Sequence, residues 1–359
     1  MARPRLLCRI DRIKKAASLL AVCLFVSVVC VATVTYAHEF NITSFAEVKM
    51  KTTQSHRTNG YVIRQRNLQN ILVETKNELR RWCPNKTRTA QIRDHLNRLT
   101  QSNLIISQGN TPTGRRYYNT FYTQPVRIDE AKRNLLPVMA PFSEKSLYIS
   151  CAVIGNGGIL KHSGCGKEID RFEFILRSNL PVIGAFTHDV GSKTNLTSLN
   201  PSVIKNRFHY LNSSEMTSMF LNALDEYSGY LLWIHNSRIV DTSMAFRIAQ
   251  LVKENTTLQI LLTNAEFLGN IEYWWKSGKT LSTGMLLTSI GLMLCEEVHL
   301  YGFWPFSINS EGMSLPMHYT EDLNWSTYHQ SHDYPTEFKI LTQLHLEGVL
   351  HMHVDEPCS

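Results

Sequence analysis

The chain is 359 residues long with a mass of 41.2 kDa. Its residues are 43% hydrophobic and 19% charged, which excludes a disordered or collagen-like polypeptide and leaves enough chain to bury a sizeable core. The net charge of +7 is concentrated at the start, where Arg3, Arg5, Arg9, Arg12, Lys14 and Lys15 against Asp11 place +5 in the first fifteen residues. About +2 remains for the rest, which is no electrostatic footprint for a polyanion and excludes a nucleic-acid partner.

In chain order, residues 1–15 read as a basic cytosolic tail. Residues 16–37 form an uncharged run of 22 residues, long enough as a helix to cross a hydrocarbon core of roughly 30 Å. The positive-inside rule keeps the tail cytosolic and carries the remainder across a membrane as a single-pass signal-anchor of type II topology. A cleaved signal peptide ending at Ala37 is the competing reading, disfavoured because such apolar cores are usually about 7–15 residues long. Residues 38–77 are polar with little apolar periodicity and read as a stem. Residues 78–359 read as the folded lumenal domain. Six N-x-S/T sequons agree with that topology, at Asn41, Asn85, Asn195, Asn212, Asn255 and Asn324.

Eight cysteines divide the same way: Cys8 falls in the tail, Cys23 and Cys30 in the anchor, and Cys83, Cys151, Cys165, Cys295 and Cys358 in the oxidising compartment. Five is odd, so two bridges and one leftover thiol is the simplest count. Cys83 reads equally as a quiet buried thiol or as the bridge of a homodimer.

Residues 71–99 show helix-like spacing interrupted at Cys83-Pro84. From Ser146 onward, short apolar runs at 146–155, 172–177, 230–236, 257–263 and 296–304 read as strands separated by helix-length stretches. That alternation predicts an α/β fold, with a Rossmann-like, mostly parallel sheet flanked by helices. Ligands on such sheets bind beyond the strands' carboxyl ends.

Four constellations could carry chemistry. Asn156-Gly157-Gly158 follows the first long strand, where glycines let backbone amides approach a phosphate or sugar. Arg177-Ser178-Asn179 ends the second. Ser282-Thr283-Gly284 precedes an apolar helix and reads as an N-cap, with first-turn amides able to face an anion. The fourth pairs His318-Tyr319 with His332 and Glu337. No H-E-x-x-H, C-x-x-C or D-x-D occurs, so metal catalysis has no support, and no G-x-S-x-G elbow points to a serine hydrolase. The incomplete glycine fingerprint disfavours a nucleotide-dependent oxidoreductase.

At these residues the sequence resembles the sialyltransferases, in particular their alpha-2,8 subfamily. Residues 151–196 resemble the large sialylmotif, 281–301 the small one and His318-Tyr319-Thr320-Glu321 the third, and His332 with Glu337 matches the very small H-x(4)-E motif. The string Tyr301-Gly302-Phe303-Trp304-Pro305-Phe306 resembles the alpha-2,8 branch, and the likeness covers residues 135–358. It implies a GT-A-like variant of the fold in a Golgi membrane. It also implies a CMP-sialic acid donor met by Asn156, Asn179, Ser282, Thr283, Gly284 and Trp304, and disulfides Cys151–Cys295 and Cys165–Cys358. Two departures are Ser178, where the subfamily usually has Cys, and Thr320-Glu321, which replace Tyr-Asp.

The resemblance further implies inverting, metal-independent transfer without a cofactor onto a terminal sialic acid of a glycolipid or glycoprotein. In that reaction His332 is the base and His318 the partner of the donor phosphate. Residues 244–280 carry only about +1, unlike the basic stretch of polysialylating members, so addition of one or a few residues is expected, as in ganglioside-type and oligosialylating members. The competing function is a catalytically weak Golgi paralogue that binds glycans or a partner enzyme, motivated by the altered third motif.

Overall fold

A computed structural model describes residues 57–354 and 358, apart from 102, 119–124, 143–145, 235–240 and 329; for 57–67 it describes the backbone alone. The expected tail, anchor, sequon Asn41 and most of the stem lie outside these residues. Among the described residues no helix is long and apolar enough to cross a membrane. The chain divides into two units, Met1–Ile63 and Arg64–Ser359, and the fold below is that of the second.

The strands are β1 (Ile105–Ile106), β2 (Arg116–Tyr117), β3 (Val126–Arg127), β4 (Tyr148–Ile154), β5 (Phe174–Arg177), β6 (Leu196–Leu199), β7 (Tyr230–Trp233), β8 (Gln259–Thr263), β9 (Cys295–Tyr301) and β10 (His351–His353). Eight of them form one sheet in the order β1-β8-β7-β6-β5-β4-β9-β10, while β2 and β3 make a separate ribbon. Every pairing in the large sheet is parallel except β1 with β8. The expected α/β sheet is therefore present.

Parallel strands covered on both faces read as continuous apolar runs rather than alternating ones. Thus Phe174, Ile175, Leu176 and Arg177 of β5 are all buried. Successive residues feed opposite cores: Val153 and Leu176 face one, Ala152, Ile154 and Ile175 the other. The helix Thr283–Leu294 is buried at every position but Gly284, as expected of a helix apolar all round.

One central strand, β6, has no counterpart among the runs read from sequence, because Thr197 and Ser198 break its apolar texture although both are buried. The interruption at Cys83-Pro84 separates two helices, Arg57–Leu79 and Lys86–Thr100. Leu72 is buried in the sheet's core, so the end of the segment read as stem packs as part of this domain.

Candidate active site

The carboxyl ends of β4, β5 and β9 meet the start of the helix Thr283–Leu294 around a cavity of about 330 Å³. Asn156, Asn179, Ser282, Thr283, Gly284, Trp304, His318 and His332 all line it, although they lie up to 176 residues apart in sequence. Six of the eight sit just beyond a strand end or at the start of that helix, where such sheets bind ligands.

The glycine turn does a different job from the one expected. Gly155 N donates to Tyr301 O (2.8 Å), Gly157 N to Gly302 O (3.1 Å) and Gly158 N to Met317 O (3.3 Å), so these amides are spent on protein rather than on a phosphate. A Cβ at Gly157 would lie 2.4 Å from Gly302 O, and one at Gly158 2.0 Å from Pro316 O. The glycines let three backbone segments touch. Their contact includes a bridge between Gly157 and His318 and a bond from Tyr319 N to Asn156 O (2.9 Å), which sets His318 beside Asn156.

Asn156 Nδ2 donates to Ser178 O (3.0 Å), while its Oδ1 is buried without a partner and so can accept from a ligand. Asn179 occupies left-handed backbone space (φ +65°), held by a bond from its N to Ser198 Oγ (3.0 Å). Its Nδ2 donates to Thr283 Oγ1 (3.3 Å), joining the β5 end to the helix start. Ser282 is the N-cap, accepting from Met285 N (3.1 Å). Gly284 leaves room for the Phe303 ring, which a Cβ would meet at 2.9 Å. Trp304 contributes a buried wall; its indole N–H is spent on Ile308 O (2.9 Å).

Both pocket histidines have Nδ1 tied to oxygen. His332 Nδ1 lies 2.8 Å from Thr280 O, a carbonyl that can only accept, so Nδ1 carries the proton and Nε2 keeps its lone pair in the neutral ring. Burial pushes the His332 pKa below the ordinary imidazole value and the Lys279 charge acts the same way, the Thr280 bond opposing them. His318 Nδ1 lies 2.8 Å from Asp322 Oδ1. Burial alone would raise the Asp322 pKa, but its bonds with His318 and Thr320 hold it below the usual carboxylate value.

Glu337 was legible only as the end of the last motif. It is 4% exposed, accepts from Ser282 N (2.7 Å), and burial pushes its pKa up to about 7. It thereby ties the last motif to the small one. Thr320 donates to Asp322 Oδ1 (2.7 Å), and Glu321 pairs with Lys161; neither lines the cavity. Ser178 lines it with a buried, unpartnered hydroxyl. Sequence reasoning missed Asp322 and the aromatic wall of Phe303, Trp325 and Tyr328; the carboxylate four residues after His318 was the available signal.

The disulfides are Cys151–Cys295 and Cys165–Cys358. The first fastens β4 to β9, whose ends carry Asn156 and Trp304. Cys83 is free and exposed, which overturns the reading of it as a buried thiol. Among the sequons, Asn85, Asn212, Asn255 and Asn324 are exposed. Asn195 is half-buried, and its Oδ1 accepts from Ile175 N (2.8 Å), spending the side chain on the sheet.

The sequence matches glycosyltransferase family 29 (sialyltransferase) over residues 92–349. It is 39% identical over 254 residues to the mouse protein named alpha-2,8-sialyltransferase 8F, covering 68% of this chain and 63% of that one. It is also 39% identical over 259 residues to the bovine alpha-N-acetylneuraminide alpha-2,8-sialyltransferase, covering 70% of each. A crystal structure of a mammalian sialyltransferase in complex with Gal-beta-1-3GalNAc-ortho-nitrophenol aligns at a TM-score of 0.41 and 22% identity, over 77% of this chain and 89% of that one. The order of the motifs, their convergence on one cavity and the family match lead to one conclusion: this chain belongs to glycosyltransferase family 29, the sialyltransferases.

Proposed function

We propose that the protein is an alpha-2,8-sialyltransferase that moves sialic acid from CMP-sialic acid to the terminal sialic acid of a glycolipid or glycoprotein glycan. The observation that carries this reading is the pairing of two imidazoles, each with Nδ1 bound to oxygen, on the cavity that also holds Asn156, Asn179 and a helix N-terminus. His332 Nε2 takes the proton from the acceptor hydroxyl as its oxygen attacks the anomeric carbon. The bond from that carbon to the CMP phosphate oxygen breaks through an oxocarbenium-like state, and the configuration inverts.

The phosphate gains negative charge as it leaves. Among the described lining residues none is Lys or Arg, so His318, oriented by Asp322, and the positive end of the helix that Ser282 caps are the groups that stabilise it. A monophosphate leaving group asks less of the site than a pyrophosphate, and we assign transfer no metal and no cofactor. Asn156 Oδ1 and Asn179 hold the donor, with Ser282, Thr283, Gly284 and Trp304 shaping its pocket.

The weak charge of residues 244–280 supports addition of one or a few sialic acids rather than a long polymer. The apolar run 16–37 and the sequons support a single-pass membrane protein with a stem and a lumenal domain, the family likeness supports a Golgi membrane and a GT-A-like fold, and exposed Cys83 could bridge a homodimer. The test is CMP release from CMP-sialic acid with a GM3-type lipid, with a sialylated glycoprotein, and with neither. Release that depends on a sialylated acceptor is expected; none with either acceptor would leave a glycan-binding protein of the same fold.

A further inference from the structure

A second gathering of histidines lies at the edge of the sheet. Strands β9 and β10 pair in the register His351 with His299 and His353 with Tyr301, so these four residues share one face. His299 Nδ1 is 2.9 Å from His353 Nε2, and one ring nitrogen from each of His299, His351 and His353 falls within 4.8 Å of the others. Behind them, Glu168 Oε1 is 3.4 Å from His353 Nδ1, and the Tyr301 hydroxyl donates to the same carboxylate. The Trp82 ring stacks on His351 (4.4 Å between centroids, 2° between planes).

We propose that His299, His351 and His353 form a zinc site at the β9–β10 edge, separate from the transfer pocket. A hydrogen bond between two of the rings accounts for one pair. It does not account for a carboxylate placed behind a ring whose other nitrogen faces the point where the three meet. Three imidazoles favour zinc and its neighbours over magnesium or calcium, which take oxygen. A carboxylate on the far nitrogen of a ligating histidine is the usual outer partner of such sites, fixing its tautomer and raising its basicity. A bound ion would clamp β10, an edge strand of three residues, to the strand that leads into Phe303 and Trp304.

The test is a zinc titration of the full-length chain against a chromophoric chelator, with X-ray absorption on the zinc-loaded protein. One zinc per chain, undisturbed by excess magnesium and bound by three imidazoles at about 2.0–2.1 Å, is expected. His353→Gln should abolish binding, and Glu168→Gln should weaken it by about 10–100-fold. His332→Ala should leave it intact. No stoichiometric zinc, retention in His353→Gln, or loss in His332→Ala overturns the proposal. Should His353→Gln fail to fold, the absorption spectrum of the wild type decides, and fewer than three imidazoles or any sulfur ligand overturns it.

Discussion

The pocket and the β9–β10 edge use one side chain in two ways. In the pocket each ring is held by oxygen: His332 by Thr280 O and His318 by Asp322. An oxygen partner fixes the tautomer and leaves a single nitrogen for a proton in transit. At the edge the rings meet one another, His299 Nδ1 against His353 Nε2 with His351 beside them, while Glu168 stands behind His353 Nδ1. Ring nitrogens converging on one point suit a cation rather than a proton shuttle. Imidazole chemistry here follows from whether a ring meets other rings, and strand β9 belongs to both regions.

The comparison is broken most severely by His332→Ala, which should lower transfer about 10²–10⁴-fold, the usual contribution of a positioned base. Near-normal CMP release in the presence of a sialylated acceptor would remove His332 from that role. Because β9 serves both regions, Cys295→Ala should weaken both by loosening the fold, at a cost of about 2–5 kcal/mol, read as an earlier urea midpoint. An unchanged midpoint would mean the β4–β9 pairing stands without its bridge.

Asp322→Asn sharpens the contrast more gently. It removes a hydrogen bond to an exposed carboxylate, worth about 0.2–1 kcal/mol, so transfer should drop by up to about fivefold. Zinc affinity at the edge should stay as it was, and a parallel loss of both would deny that the regions are separate. In the wild type the acid limb of kcat/KM should have its midpoint below pH 6.5, since a general base works only when neutral and the His332 pKa is lowered. A midpoint above 6.5 would contradict that environment.

The smallest effect is expected from Glu337→Gln, which keeps an acceptor for Ser282 N but cannot ionise. A carboxyl whose pKa is raised on folding, here to about 7 from an ordinary 4.5, stabilises the fold fully below the ordinary value. That contribution is lost as pH rises through the folded value. The variant should therefore gain on the wild type between pH 5 and pH 8 in chemical denaturation; a constant difference across that range would refute the buried, reluctant carboxylate.

Much of this was legible in sequence. The runs that became β4, β5, β7, β8 and β9 announced themselves because a doubly covered parallel strand is apolar throughout. The helix after Ser282 and the bridge partners implied by family likeness were readable too. Strand β6 was not, since Thr197 and Ser198 disguise it, nor was Asp322, whose role depends on a turn that returns it to His318. The spacing of His351 and His353 was visible, but His299 lies 52 residues before the first of them.

Order along the chain thus settled which residue types were available: strand-forming runs, a capping serine, glycines small enough for close backbone contact, and histidines near the end. Local propensity and periodicity act over a few residues, so they can specify elements and their limits. Which nitrogen of each ring keeps a lone pair, which amides remain for a ligand and which histidines meet were decided only by packing, because those partners come from segments far apart that the parallel sheet brings side by side.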